Sequence, residues 1–248
     1  MGPTRPMSGS AVAGPGAGAT PIPQPAVGDC DVLPPGLDAA FVRIYERALP
    51  LLATRSNDSH ARISCQYVVE LLEREGGDPG IAIPAILVHD LGWNEIPDDE
   101  QRKAYGPGSS DAHLNRQHEV AGARLARELL EGCGYPADLI DEICRIILTH
   151  DSQPHALTVE EAIVKDSDKV WRVSRAGFPL TLDLLGNMTP QELHDFIAVR
   201  VPRWFLTRAG RELAVAELAA RRLEYGLDPA PDIPPPAGYG IGDAVEYK

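Results

Sequence analysis

Apolar residues recur at helical spacing along most of the chain. Between Asp38 and Leu49 they fall at Phe41, Ile44, Tyr45 and Leu49, and Pro50 interrupts the run. From His60 to Glu75 they fall at Ile63, Tyr67, Val68, Leu71 and Leu72, and Gly76-Gly77 stops the helix. Asp78-Pro79 reads as an N-cap with proline at the first helical position. It opens the run Ile81 to Leu91, whose all-round apolar character predicts a central, buried helix, with Gly92 just past its end. A further helix is predicted from His118 to Glu131, closed by Gly132 and Gly134. Another begins at Pro136, with Asp138, Asp141 and Glu142 in early turns where they suit the helix dipole. Thr158-Val159-Glu160-Glu161 reads as a capping box opening a helix toward Val173, and Thr189-Pro190-Gln191-Glu192 as a second helix start. Arg208 to Tyr225 is amphipathic and ends at Gly226. No convincing strand pattern occurs. The fold class is all-α, a bundle of about seven to nine helices.

Composition sets the limits of that body. The chain has 248 residues, 44% of them apolar, enough for one sizeable core. Residues 1–36 read as a disordered arm rich in Pro, Gly and Ala, 37–228 as the helical domain, and 229–248 as a Pro/Gly-rich tail. With 36 acidic against 23 basic residues the formal charge is −13. This argues against a nucleic acid polymer or an anionic membrane surface as partner. It leaves room for a small-molecule substrate, even a phosphorylated one, held by a local cluster of Arg or Lys. A homodimer is compatible with the pattern. Cys30, Cys65, Cys133 and Cys144 form no C-x-x-C pair and read as free thiols of a cytoplasmic protein. No apolar run reaches membrane-spanning length, and the N-terminal stretch lacks the continuous apolar segment of a secretory signal.

The candidate chemistry lies at helix ends. His60 begins a predicted helix, His89-Asp90 ends one, His118 begins one, His150 ends one, and Asp168 lies within the next. Helix ends that converge can aim side chains inward while the helix bodies pack around them. Imidazole nitrogen with carboxylate oxygen suits iron, manganese, cobalt or zinc. Six such groups are too many for one tetrahedral zinc. They suit two divalent metals sharing a bridging carboxylate, Asp90. His113 and His155 fall in predicted loops without a partner pattern, and His194-Asp195 reads as a solvated face.

Order and context of these residues resemble the HD-domain superfamily, whose motif H…HD…D is matched here by His60, His89-Asp90 and Asp168. The segment Ile83 to Gly92 resembles the family's apolar helix ending in HD-(I/L)-G. Lys165-Asp166-Ser167-Asp168-Lys169-Val170 resembles its closing segment, which puts the ligand at Asp168 and not Asp166. The segments around His118 and His150 resemble the two extra histidine segments of the two-metal subgroup. The resemblance covers about residues 38 to 175. It implies an HD-domain helical bundle with two divalent transition metals, iron first among them. It further implies a metal-dependent phosphohydrolase acting through metal-activated water on a small phosphate ester or nucleotide. A smaller two-metal branch with the same ligand order consists of mixed-valent diiron oxygenases. These use O₂ to cleave a C–C or C–P bond of a small phosphonate or polyol-like substrate, and ligand identity does not separate the two. A binding or sensor protein with a degenerate site is the third class, and it is disfavoured because no ligand of the set is missing.

Candidate substrate contacts are Arg62, Lys165, Lys169 and Arg172, the last three at i, i+4, i+7 on one helix face. Asp58, beside Asn57, is a candidate for substrate hydrogen bonds or helix capping. Trp93 stands where many two-metal members carry lysine, and would either edge the pocket or pack. The polar stretch Asn94 to Asn115, with Tyr105 and His113, is either a lid or a surface excursion.

Overall fold

The computed structural model describes residues 32–101, 104 and 111–229. Most of the expected N-terminal arm (1–31, including Cys30), Tyr105 and the tail from 230 lie outside the described residues. Within them the chain is built from α1 (Ala39–Ala48), α2 (Asn57–Glu75), α3 (Pro79–Val88), α4 (Asp98–Gln101), α5 (Ala112–Gly132) and α6 (Ala137–Ile147). There follow α7 (Val159–Val170), α8 (Gly177–Leu185), α9 (Pro190–Ala198), α10 (Val201–Trp204) and α11 (Arg208–Tyr225). Short 3-10 turns occupy Leu91–Glu95 and Trp171–Val173. No strand occurs among the described residues. The helices outnumber those read from periodicity because α4 and α10 are four-residue turns, too short to show a period.

The predicted central helix is central. Every residue of α3 from Ala82 to Val88 is buried, and α3 packs against α1, α2, α6 and α7. Pro84 lies inside it, so the carbonyl of Gly80 has no helical N–H to accept from. Tyr135 Oη donates to that carbonyl at 2.7 Å. The proline is thus tolerated without leaving an orphan acceptor.

Three expectations need correcting. His118 does not begin its helix. Asp111 caps α5 by accepting from the N–H groups of His113 and Leu114, so the helix starts at Ala112 and His118 sits in its second turn. His113 consequently lies in the first turn of α5, exposed, and not in a loop. Nor is His194 on a solvated face: it is 2% exposed, on the inner side of α9 with Leu193 and Ile197.

The stretch read as either a lid or a surface excursion is anchored near both of its ends. Trp93, Ile96, Ala104 and Leu114 form a small satellite core. Gln101, itself buried, donates to the carbonyls of Trp93 and Ile96.

Between α6 and α7 the connecting segment is held by a buried ion pair. Glu161 accepts from Arg145 (2.7 Å), Thr149 Oγ1 (2.9 Å) and Leu157 N (2.9 Å). Lys165 Nζ lies 2.9 Å from Glu161 and donates to the carbonyls of Gln153 and His155. Its three donors are therefore spent on the protein, which corrects its expected role as a substrate contact. Burial alone would raise the Glu161 carboxyl, but the Leu157 N–H, Lys165 and Arg145 outweigh it and hold it at about 2. This pair contributes stability fully above the ordinary glutamate range and loses it as pH falls toward 2. Glu161→Gln is expected to cost about 3 kcal/mol near neutral pH. In urea unfolding the gap to wild type should narrow steadily below pH 4.5.

Candidate metal centre

α3 delivers His89 and Asp90 at its C-terminal end. The His89 ring Nδ1 donates to the carbonyl of Ile86, 2.8 Å away. A carbonyl only accepts, so this bond places a proton on Nδ1 and turns Nε2 inward. His150, just past α6, repeats the device on the carbonyl of Ile147 at 2.8 Å. His60, in the first turn of α2, and His118, in α5, bring the other two imidazoles. All four are buried, with Asp90 and Asp168.

The six side chains converge. His60 Nε2 lies 2.9 Å from His89 Nε2 and 3.3 Å from Asp168 Oδ1. His118 Nε2 lies 3.2 Å from His150 Nε2. Asp90 stands between the pairs. Its Oδ2 is 3.6 Å from His60, while its Oδ1 is 3.6 Å from His89, 3.7 Å from His150 and 3.9 Å from His118. A seventh group completes the cluster. Asp151 Oδ2 is 3.6 Å from His118 Nε2 and 3.8 Å from His150 Nε2. The sequence reading missed Asp151, although its signal was present: His150-Asp151 follows an apolar helix end just as His89-Asp90 does.

Three sets have ligand atoms within 4.8 Å of one another: His60–His89–Asp168, His89–Asp90–His150 and His118–His150–Asp151. Their spacing fits metal ligation. Two nitrogens each about 2.0–2.1 Å from one ion at ligand angles of 90–110° are about 2.9–3.4 Å apart, the range of both histidine pairs. The donor set also leaves groups that the protein does not satisfy: Asp168 Oδ2 has no hydrogen-bond partner among the described residues.

Burial lowers His60, and it takes His118 down to about 4. At His89 and His150 burial acts the same way but is outweighed by carboxylates. Asp90 and Asp168 raise His89, and Asp151 with Asp90 holds His150 at about 9. Burial would raise Asp90 and Asp168, yet the surrounding imidazoles hold both well below the usual carboxylate range. The pocket thus favours a cation among its carboxylates, and binding a metal there displaces protons.

Behind these groups lies a supporting layer. Trp93 is fully buried. Its ring stacks on His118, centroids 4.1 Å apart, and its Nε1 donates to Asp90 Oδ1 at 3.1 Å. Packing, and not a pocket edge, is therefore its role. Glu119, also buried, accepts from the N–H groups of Asp151 and Ser152 and holds the turn after His150. Gly92 is required by a close approach: a Cβ there would lie 1.9 Å from the carbonyl oxygen of His118 and 2.6 Å from Gly122 N. Of the remaining candidates, Arg62 donates to Tyr45 Oη, Asp58 Oδ2 and Ser59 Oγ, which ties it and Asp58 into the α1–α2 contact. Lys169 Nζ and Arg172 each stand 3.8 Å from Asp168. Asp166, the neighbouring acid, holds the segment leading into α11 by accepting from Leu206 N, Thr207 N and Thr207 Oγ1, while Thr207 itself caps that helix.

The HD domain family model matches residues 57–172, from the start of α2 through Arg172. This part of the chain is an HD domain. All seven clustered side chains fall within it, and HD domains bind divalent metals through such His/Asp groups. No curated protein and no solved structure matches the chain. Among the described residues no helix of the HD domain or its flanks is long and apolar enough to cross a membrane.

Gly92→Ala is expected to push the turn after the doublet off α5 and destabilise the protein by at least about 2 kcal/mol in urea unfolding. Gly132→Ala is the control. Its new Cβ would meet only the Arg47 side chain, at 3.6 Å, and stability should hold or rise slightly.

Proposed function

We propose that this HD domain is a phosphohydrolase that holds two divalent metals and acts on a small phosphate ester. The observation that carries the reading is the pair of cations, Lys169 and Arg172, which stand 3.8 Å from Asp168 and line the cavity beside the cluster. Cations at that position suit the non-bridging oxygens of a phosphoryl group.

On this reading His60, His89 and Asp168 would hold one metal and His118 and His150 the other, with Asp90 within reach of both. Asp151 either completes the second set or stays beside it. Divalent metals in such a site polarise a phosphoryl oxygen and acidify water. The donor set suits iron, manganese, cobalt or zinc. The Ile86 and Ile147 carbonyls hold the Nδ1 protons of His89 and His150, so Nε2 is the nitrogen that would meet a metal. Trp93 fixes the face of His118 and one oxygen of Asp90. Lys169 and Arg172 orient the ester. Asp151 lines the same cavity and is positioned to take the proton of water entering there.

Protein purified without chelator is expected to carry about two divalent ions per chain by elemental analysis. Trp93→Phe keeps a ring but removes the bond to Asp90, and should weaken metal affinity by about tenfold. A panel of phosphate monoesters should release inorganic phosphate equally in air and under argon. Release that stops under argon would instead indicate chemistry that consumes O₂. Lys169→Gln or Arg172→Gln should raise KM by about tenfold with metal content unchanged.

A further inference from the structure

Two cavities adjoin the cluster: one of about 480 Å³ opens on His150, Asp151, Arg200 and Arg203, and a smaller one has walls of two origins. Asp151, Asp168, Lys169 and Arg172 come from the HD domain and make its polar end. The other wall comes from α8, α9 and α10, beyond the matched span, with Leu184, Phe196, Ile197 and Trp204. Its volume is about 240 Å³. An apolar cavity of roughly 150 Å³ holds a benzene molecule, whereas pockets for larger ligands run to about 300–1,000 Å³. The space beyond the phosphate position therefore suits one ring or a short chain.

Two polar atoms in this lining are unsatisfied. Thr181, on α8, is 2% exposed, and its Oγ1 has no hydrogen-bond partner among the described residues. Asn115 Oδ1, on α5, is likewise buried and without one. A buried hydroxyl left unpaired costs stability unless something meets it. Both residues line this cavity.

We propose that α8–α10 form the specificity wall of the enzyme, and that its substrate is a phosphate ester of a compact, mainly apolar alcohol. One hydrogen-bonding group on the organic part meets Thr181 and Asn115. The inference rests on the phosphoester reading above and narrows it away from nucleotides, whose polar sugar and base do not suit an apolar wall of this size.

Binding of stable phosphonates to the full-length, metal-loaded protein tests it by calorimetry, independently of turnover. From methyl- to butyl- to hexylphosphonate, affinity should rise by about fourfold per buried methylene until the cavity is full. Leu184→Trp, at a half-buried position, should flatten the series from methyl- to hexylphosphonate. Among the three hydroxyphenylphosphonates, at least one should bind more tightly than phenylphosphonate by about fivefold. Thr181→Val, a near-isosteric change, should abolish that advantage. Equal affinity along the alkyl series, tighter binding of adenosine monophosphate than of hexylphosphonate, or no phosphonate binding would each overturn the proposal. A hydroxyl preference that is missing, or that survives Thr181→Val, would overturn the assigned role of Thr181. A rising series without phosphate release from any ester would instead leave the cavity assignment standing and overturn the hydrolase reading. Phosphate release with a flat series would do the reverse.

Discussion

Asp90 and Asp168 lie in the interior of a helical bundle with almost no contact with solvent, and carboxylates in such a place must be balanced by positive charge or hydrogen bonds. Four imidazoles, Lys169 and Arg172 surround them. The imidazoles are themselves aimed by the ends of the helices that carry them. His89 and His150 each turn back on a carbonyl three residues earlier, so one bond sets both the ring's direction and its tautomer. The same contacts that make the acids tolerable make the pocket receptive to cations. Stability and chemistry are therefore posed as one problem at this point in the fold.

The rest of the HD domain can be read as a means of bringing these helix ends together. α3 runs through the core and needs Tyr135 to complete the hydrogen bonding around Pro84. The turn after Asp90 touches the backbone of α5 closely enough that only glycine fits at position 92. The segment carrying His150 and Asp151 is held from one side by Glu119 and from the other by Glu161 and Lys165. Lys165 faces a metal-type site in sequence but serves the backbone in space. A buried ammonium with three acceptors in reach satisfies them before any ligand arrives.

A division of labour follows. The cluster and its basic edge belong to the HD domain, while the apolar side of the adjoining cavity is supplied by α8, α9 and α10. A fold that keeps its polar cluster in one part and an apolar wall in another can vary the wall without disturbing the cluster.

Period and punctuation alone determined the helical class, the buried character of α3 and the caps at Asp78, Thr189 and Gly226, because these depend on residues near one another in sequence; the six residues of the H…HD…H…H…D order were legible through their resemblance to the HD-domain motif. The choice of Asp168 over Asp166 was also legible, through the resemblance of its segment. Which cations face the cluster was decided only in three dimensions. Arg62, Lys165, Lys169 and Arg172 look alike in sequence. The carbonyls of the turn before α7 occupy Lys165, Tyr45 ties Arg62 to α1, and Lys169 and Arg172 stand beside Asp168. Asp151 carried the same His-Asp signal as Asp90, but only the meeting of α5 with the turn after α6 gave it neighbours. Trp93 became a support once His118 was seen to lie against its ring. Local sequence encodes where a helix ends and which side chain stands there. What that side chain meets depends on packing among distant segments, and that is a property of the whole chain.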